Sequence, residues 1–236
     1  MSAENSLPTA PDGGTIVFDL DGTLVDSIRD LLPALNYTID TQGLAPIQAE
    51  EIGKVVGQGA LKMIARAFDL QSKPLTPDLH KELLEVFLAQ YGKHTAEHTV
   101  FFDGCLPLLD RLEADGWILA VCTNKYAHLA ESLLKTLGER HRFKALTGGD
   151  TFDFKKPDGR HIAATAALAG GNPSATVMVG DSISDIAGAK DADIPVIAVD
   201  FGYTDIPVTD LDPDIVISHF DEFDAALTAL VAQRFT

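Results

Sequence analysis

The chain has 236 residues, of which 46% are hydrophobic, and this length suits one good-sized domain, or a core domain with a smaller insert. Acidic residues outnumber basic ones by 35 to 18, and the formal net charge of −17 predicts a surface that repels nucleic acid and anionic membranes. We expect neither a signal peptide nor a membrane span, and the two cysteines, Cys105 and Cys122, form no CxxC pair and favour a reducing, cytoplasmic location.

The first structured element is predicted to be a buried strand that ends in two acidic residues. Residues 1–13 are rich in Pro, Gly and small polar residues, which predicts a loose tail before it. An apolar, β-branched run then predicts a strand over about 15–20, at whose end Asp19 and Asp21 should converge on one side. Two crowded carboxylates repel unless a cation lies between them. This pair suits a nucleophile beside a general acid/base with a divalent metal, although Asp residues also cap simple turns.

The next segment has helical periodicity, and no convincing strand pattern interrupts it. Apolar residues at helical spacing mark three amphipathic helices, near 31–39, 61–68 and 79–87. We therefore predict an inserted helical unit over residues 27–95. It would divide a core domain into two parts, residues 14–26 and 96–236.

Strand and helix patterns alternate over the rest of the chain. The predicted strands are 117–123, 144–147, 176–180, 195–199 and 214–217, and the predicted helices are 105–115, 127–137, 159–169, 183–192 and 221–234. Alternation at this spacing predicts an α/β fold with a doubly wound, mostly parallel sheet. Ligands of such sheets bind outside the carboxyl ends of the strands, so polar residues at those ends are candidate site residues.

Five such residues form a chemically coherent set. Thr123 and Asn124 end one strand, where a hydroxyl and backbone amides can hold a tetrahedral anion, although both also suit a helix cap. Lys156 lies in a loop and would offset the charge of a phosphoryl group, although surface lysines are common. Asp181 and Asp185 follow another strand and could complete an oxygen-ligated Mg²⁺ site, or could simply cap a helix. Together with the first acidic pair, the set suits phosphoryl transfer.

These motifs resemble those of the haloacid dehalogenase (HAD) superfamily, in particular its phosphoglycolate phosphatase-like branch. Residues 18–27 resemble the first motif, Thr123-Asn124 the second, Lys156-Pro157 the third, and Gly180-Asp181 with Asp185 the fourth. The resemblance implies a Rossmann-like core whose α-helical insert, residues 27–95, is a cap domain that closes over the site. It also implies a Mg²⁺-dependent phosphatase with a small phosphorylated metabolite as its partner.

The resemblance further implies a role for each candidate residue. Asp19 would attack phosphorus to form an aspartyl phosphate, while Asp21 would protonate the leaving alcohol and then activate a water molecule. Mg²⁺ would be held by Asp19, the main-chain carbonyl of Asp21, and Asp181, with Asp185 beside the metal or just behind it. The phosphoryl oxygens would be held by Thr123, the amide of Asn124, and Lys156.

One loop of the predicted cap resembles that of phosphoglycolate phosphatases and contains Gly57, Gln58 and Gly59. The two glycines would allow the backbone to approach a small substrate closely, and Gln58 could supply a polar contact. A plain loop at the start of a helix has the same pattern. Three basic residues near the loop are candidates for binding a substrate carboxylate, and the sequence does not choose among Lys54, Lys62 and Arg66.

The best guess for the substrate is 2-phosphoglycolate, and three alternatives stay open at this point. The same fold could hydrolyse pyrophosphate or a nucleoside monophosphate. A β-phosphoglucomutase-like mutase shares the motifs, but such mutases usually have an Arg shortly after the cap-loop Gly, which is missing here. A non-catalytic phosphometabolite sensor is the most remote alternative, because both Asp19 and Asp21 are present. For assembly we expect a monomer or a homodimer.

Overall fold

The structure, a computed structural model, describes residues 7–234. The strands of this part of the chain are β1 (Thr15–Phe18), β2 (Val25–Asp26), β3 (Val100–Phe101), β4 (Ile118–Cys122), β5 (Ala145–Thr147), β6 (Thr176–Gly180), β7 (Val196–Val199) and β8 (Ile215–Ile217). The α-helices are α1 (Ile28–Asp40), α2 (Ala60–Leu70), α3 (Pro77–Tyr91), α4 (Cys105–Ala114), α5 (Ala127–Thr136), α6 (Arg160–Leu168), α7 (Ile183–Asp191) and α8 (Phe223–Arg234). All predicted core strands and helices are present, with their ends within two residues of the predicted positions.

Six strands form one parallel sheet in the order β5-β4-β1-β6-β7-β8. The strand β1 lies at its centre, where Phe18 pairs with Val121 of β4 and with Val179 of β6. The strand order reverses on either side of β1, so the switch point of the sheet is the carboxyl end of this strand. The predicted doubly wound α/β sheet is confirmed, and its geometry brings the ends of β1, β4 and β6 together.

Alternate residues of β1 point into two separate halves of the core. Ile16 and Phe18 belong to the half that is covered by α4, α5 and α8. Val17 belongs to the other half, which is covered by α6 and α7. All three side chains are completely buried, and burial of a large apolar side chain contributes roughly 1.5–3 kcal/mol. The strand that carries the first acidic pair is therefore anchored from both faces.

The inserted helices α1, α2 and α3 form an apolar core of their own. A short antiparallel ribbon joins the borders of this insert, because Val25 of β2 pairs with Phe101 of β3, and Asp26 pairs with Val100. Sequence patterns did not predict the ribbon, since two residues are too few to show an alternation of apolar and polar side chains. No helix among residues 7–234 is both long and apolar enough to cross a membrane.

The beginning of the chain differs from the predicted loose tail of residues 1–13. Residues 1–6 lie outside the described residues. Leu7, however, is buried in the core, and the carbonyl of Pro8 accepts a hydrogen bond of 3.0 Å from Nε1 of Trp117. The amide of Ala10 donates to the carbonyl of Asp115. This segment therefore packs on the core, through contacts with residues that lie far away in sequence.

A buried carboxylate ties the start of the insert to its end. Asp30 of α1 accepts hydrogen bonds from the amides of His98 and Thr99, and its Oδ2 also accepts one of 2.6 Å from Oγ1 of Thr99. Asp30 is only 4% exposed. A buried charge needs such partners. Since Asp30 lies at the start of the insert and its donors lie at the end, these hydrogen bonds hold the two connections between insert and core side by side.

We expect Asp30→Ala to lower the free energy of unfolding by about 2–3 kcal/mol, because the variant leaves buried donors without their charged acceptor. Denaturant unfolding measures this change. Asp40→Ala, at the exposed end of the same helix, serves as the control and should change the free energy by less than about 0.5 kcal/mol. Equal effects in the two variants would contradict the role assigned to Asp30.

Candidate active site

Three carboxylates meet where β1 and β6 end. Asp19 directly follows β1, Asp181 directly follows β6, and Asp185 lies in the first turn of α7. Each can offer one oxygen such that the three oxygens lie within 4.8 Å of one another. Asp181 and Asp185 are fully buried and Asp19 is 6% exposed, so the cluster is shielded from solvent.

Burial and mutual repulsion make this cluster hard to ionise completely. Burial and the charge of Asp185 raise the pKa of Asp19 to about 6, even though Lys156 acts in the opposite direction. Burial also raises the pKa of Asp181 well above its usual value, and the charges of Asp185 and Asp19 add to the effect. The arrangement is therefore unfavourable for negative charge unless a cation compensates it.

Lys156 supplies part of that compensation from within the protein. Its Nζ lies 2.6 Å from Oδ1 of Asp185 and also donates to the main-chain carbonyl of Cys122. It is 3.0 Å from Oδ1 of Asp19, but it is not aligned to form a hydrogen bond with that atom. Among the described residues, Oδ1 of Asp19 therefore has an ionic neighbour and no hydrogen-bond donor.

The donor set fits a hard metal cation. Three carboxylates beside one lysine leave an excess of two negative charges, and oxygen atoms are the ligands that such ions prefer. The buried oxygen of Asp19 that lacks a hydrogen-bond donor points to the same conclusion. We conclude that this donor set fits a divalent metal cation.

The orientation of Asp181 is set by its neighbours. Its Oδ1 accepts a hydrogen bond of 3.1 Å from Oγ1 of Thr23, and its Oδ2 accepts one of 2.7 Å from the amide of Tyr203. Gly22 and Gly202 lie against it, and a Cβ atom at either position would come within 2.4 Å of Oδ2 of Asp181. Both glycines are therefore required by close packing around this carboxylate.

Asp185 differs from the other two carboxylates because both of its oxygens have protein partners. Oδ1 faces Lys156, while Oδ2 accepts hydrogen bonds from the amide and the Oγ of Ser182. The hydrogen bonds with Ser182 cap the start of α7. Asp185 thus both caps a helix and adds to the charge of the cluster, and the two interpretations offered by the sequence are compatible.

The carboxylate of Asp21 is not part of this three-carboxylate cluster and pairs with a lysine. Nζ of Lys125 lies 3.0 Å from Oδ1 and 2.9 Å from Oδ2 of Asp21, and Oγ of Ser27 donates to Oδ1 at 2.6 Å. The same Nζ lies 4.3 Å from the ring centroid of Tyr91, which comes from α3 of the insert. Burial by itself would lower the pKa of Lys125, but Asp21 more than offsets this and raises it.

The residues after β4 form the opposite wall of the site. Oγ1 of Thr123 accepts a hydrogen bond of 3.1 Å from the amide of Lys125, and Nδ2 of Asn124 donates to the carbonyl of Lys156 at 3.1 Å. Oδ1 of Asn124 is buried and has no hydrogen-bond partner among the described residues. Both predicted residues line the same cavity as Asp19, and Asn124 also holds the loop that carries Lys156.

A cavity of about 50 Å³ lies between the strand ends and the insert, and Asp19, Asp21, Thr123 and Asn124 line it. The cap loop reaches it with Gly57 and Gly59, and Gly59 is so close to the carbonyl of Asn124 that a Cβ there would lie 2.9 Å away. Gln58 does not line the cavity, and its Oε1 accepts a hydrogen bond from Lys62 at 2.7 Å. The structure thus brings the two glycines to the site, but not the glutamine.

The basic residues that the sequence offered as carboxylate ligands lie elsewhere. Lys54 and Lys62 are exposed, and Arg66 contacts the carbonyl of Val56 and the carboxylate of Asp205. Among the described residues that line the cavity, Lys125 is the only cation. Its buried position was not predicted, because a lysine after a Thr-Asn pair has the same sequence signature whether it is exposed or buried.

His161 is a second residue that sequence patterns missed, and its ring contacts the backbone of Lys156. It is fully buried, and its Nδ1 accepts a hydrogen bond of 3.3 Å from the amide of Lys156. Burial, assisted by the charge of Lys156, lowers the pKa of His161 to about 3. The ring is therefore neutral at physiological pH, and only in this form can it accept the hydrogen bond.

Comparisons with known proteins agree on one family. A model of haloacid dehalogenase-like hydrolases matches residues 16–199. A phosphoglycolate phosphatase from Agrobacterium fabrum (strain C58) is 46% identical over 92% of this chain and 92% of its own length. One from Mesorhizobium japonicum is 44% identical, over 93% and 95% respectively. The crystal structure of a predicted phosphoglycolate phosphatase from Haemophilus somnus 129PT has a TM-score of 0.82 at 29% identity, and the match covers 90% of this chain and 96% of that one.

We expect His161 to make the protein less stable in acid. Its pKa of about 3 in the folded state lies below the ordinary 6.5, so the unfolded chain binds the extra proton and stability falls as the pH drops through this range. Between pH 7 and pH 5 the wild type should lose about 2 kcal/mol more than His161→Gln. Unfolding at both pH values measures the difference. The exposed His141→Gln is the control and should behave like the wild type.

Proposed function

Because the chain belongs to the haloacid dehalogenase-like hydrolases, we propose that it is a phosphoglycolate phosphatase, a Mg²⁺-dependent phosphoric monoester hydrolase. The match to the family model confirms the family resemblance found in the sequence. The observation that carries the proposal is the buried oxygen of Asp19 that lacks a donor, at the base of a small cavity, with two further carboxylates beside it. Relatives named phosphoglycolate phosphatase that match nearly the whole chain support the substrate.

In the first step, an oxygen of Asp19 attacks phosphorus, and the bond between phosphorus and the ester oxygen breaks. The leaving glycolate oxygen takes a proton from Asp21, which lines the same cavity. The product of this step is an aspartyl phosphate and a free alcohol. Lys156 lies 3.0 Å from Oδ1 of Asp19, and Thr123 and Asn124 line the same cavity as Asp19. Their charge, hydroxyl and amide groups would hold the phosphoryl oxygens.

In the second step, Asp21 removes a proton from a water molecule, whose oxygen attacks the phosphorus of the aspartyl phosphate. The bond from phosphorus to the Asp19 oxygen breaks, which releases inorganic phosphate and restores the carboxylate. Asp21 thus returns to the state from which it started. The cap over the cavity would limit the access of other water molecules during the reaction.

Mg²⁺ is the metal that we propose for the carboxylate cluster, because the donors are oxygens and the substrate is a phosphate ester. Asp19, Asp181 and the main-chain carbonyl of Asp21 would hold it, with Asp185 beside it. When bound, the ion would neutralise negative charge on the carboxylates and on the phosphoryl group. The cytoplasmic location and the choice between monomer and homodimer stay predictions from the sequence.

We expect Mg²⁺ to raise the thermal stability of the wild type but not that of Asp181→Asn. At a hundred times the Kd the wild type should gain about 2.7 kcal/mol, because the ion binds only the folded cluster. In EDTA the variant should be at least as stable as the wild type, since one of the repelling charges is gone. Asp69→Asn, an exposed position on α2, is the control. An equal response of all three proteins to Mg²⁺ would count against the site.

We expect 2-phosphoglycolate to have the highest kcat/KM in a panel that includes glucose 6-phosphate, a nucleoside monophosphate and pyrophosphate. Phosphate release should disappear in EDTA. Asp21→Asn should lower kcat by about 10²–10⁴, because it removes the general acid, and Asp19→Asn should lower it by at least as much. Asp69→Asn again serves as the control and should keep wild-type rates.

Other outcomes of this panel would favour the alternatives. A maximum at pyrophosphate or at a nucleoside monophosphate would keep the chemistry and replace the substrate. Turnover that depends on a sugar bisphosphate would indicate a mutase. Binding of a phosphometabolite without turnover of any substrate would indicate a sensor.

A further inference from the structure

We propose that Lys125 binds the carboxylate of the substrate, and that the side chain of Asp21 occupies the place of this carboxylate when the site is free. The inference rests on the proposed function and adds to it the residue that selects the substrate. The chemical class that it recognises is a phosphate ester with a carboxylate on the leaving group.

The distribution of charge around the cavity favours this role of Lys125. A phosphate ester of an α-hydroxy acid carries a second anionic group, which needs a cation within reach of the phosphoryl site. Lys125 is the only cation among the described residues that line the cavity, and Asp19 and Asp21 line it as well. The part of the lining that the insert supplies is largely apolar, with Leu31, Met63 and Phe87 among its residues. A carboxylate in this space therefore has one cationic partner.

The contacts that hold Lys125 also suit a carboxylate ligand. Its side chain is only 6% exposed, and its ammonium group lies over the ring of Tyr91 while both oxygens of Asp21 face it. A buried ammonium group needs a carboxylate partner, because removal from water is costly. The aromatic ring from the insert and the backbone after β4 fix its position. Lys125 is thus a pre-positioned carboxylate binder that already holds a carboxylate.

Asp21 cannot serve two partners at once. To protonate the leaving oxygen, its carboxyl group must turn toward the phosphoryl site, whereas both of its oxygens now face Lys125. A substrate carboxylate that takes over Lys125 would free Asp21 to turn, while Oγ of Ser27 lies within 2.6 Å to guide it. Lys125 would keep a carboxylate partner throughout the exchange. Asp21 would take up a proton from solvent as it leaves Lys125, which makes it the neutral acid that the first step requires.

A neutral leaving group cannot make this exchange. Its binding would either leave Lys125 with Asp21, away from the leaving oxygen, or leave the ammonium group unpaired. The site therefore discriminates in two ways. A substrate with a neutral leaving group binds at a cost in free energy, and a substrate with a carboxylate gains a contact with Lys125.

The test compares 2-phosphoglycolate with 2-phosphoglycolamide, a phosphate ester of nearly the same shape whose leaving group is uncharged. The ratio of the two kcat/KM values is measured for the wild type, Lys125→Gln and Lys125→Met. We expect the ratio to fall roughly 10- to 100-fold in both variants, as for the loss of a hydrogen bond to a charged group. Lys54→Met, an exposed lysine of the insert, is the matched control and should keep the wild-type ratio. Circular dichroism checks that each variant is folded.

A second measurement does not require a substitution of Lys125. Binding of 3-phosphonopropionate, which has the shape of 2-phosphoglycolate but cannot be hydrolysed, is measured by calorimetry for the wild type and for Asp21→Asn. The variant lacks the internal competitor, so it should bind the compound roughly 10-fold more tightly, and the gain should be absent for the corresponding amide. Equal or weaker binding of the acid by Asp21→Asn would overturn the exchange.

The outcomes separate this inference from the proposed function. If the wild type prefers 2-phosphoglycolate but the Lys125 variants lose equal activity on acid and amide, Lys125 only positions Asp21, and the inference fails alone. If the wild type hydrolyses acid and amide equally well, carboxylate recognition fails, together with the assigned substrate. A fall of the ratio in the Lys125 variants alone would establish the residue as the carboxylate ligand.

Discussion

Repulsion among three buried carboxylates at the ends of β1 and β6 is the interaction on which the other features of the site depend. Burial and this repulsion together raise the pKa of Asp19 and Asp181, and the neighbouring donors oppose the shift. Lys156 contributes a positive charge, and the amide of Tyr203 and the hydroxyl of Thr23 donate to Asp181. These contacts orient the carboxylates but leave an excess of negative charge. A site with uncompensated negative charge is suited to bind a metal cation and then a phosphate ester.

The parallel sheet can tolerate this concentration of charge because its strands are anchored on both faces. The residues of β1 are completely buried, and the strands β4 and β6 beside it are nearly as well covered. Apolar burial therefore offsets the unfavourable electrostatics at one edge of the sheet. The unfavourable electrostatic free energy is confined to the edge of the sheet where the chemistry takes place, and the two apolar halves of the core are not disturbed.

A second charge pair connects the core with the insert. Asp21 and Lys125 come from two strand ends of the core, and Tyr91 from α3 covers the ammonium group. The hydroxyl of Tyr203 accepts from the amide of Ser27 at the start of α1, and it also donates to Asp26 of the ribbon. The backbone amide of the same tyrosine holds Asp181. These few side chains therefore link the position of the insert to the geometry of the acidic residues.

The sequence by itself determined the alternation of strands and helices, the helical insert and the order of acidic residues at the strand ends, because hydrophobic periodicity and short motifs are local properties. It also led to the HAD family, which the comparisons confirm. Only the tertiary structure decided which of several lysines enters the cavity, that Leu7 packs on the core and that His161 supports Lys156. Burial and ion pairing depend on contacts between residues far apart in the chain. Lys125 and Asp21, for example, are separated by 104 positions, and no local pattern encodes their contact.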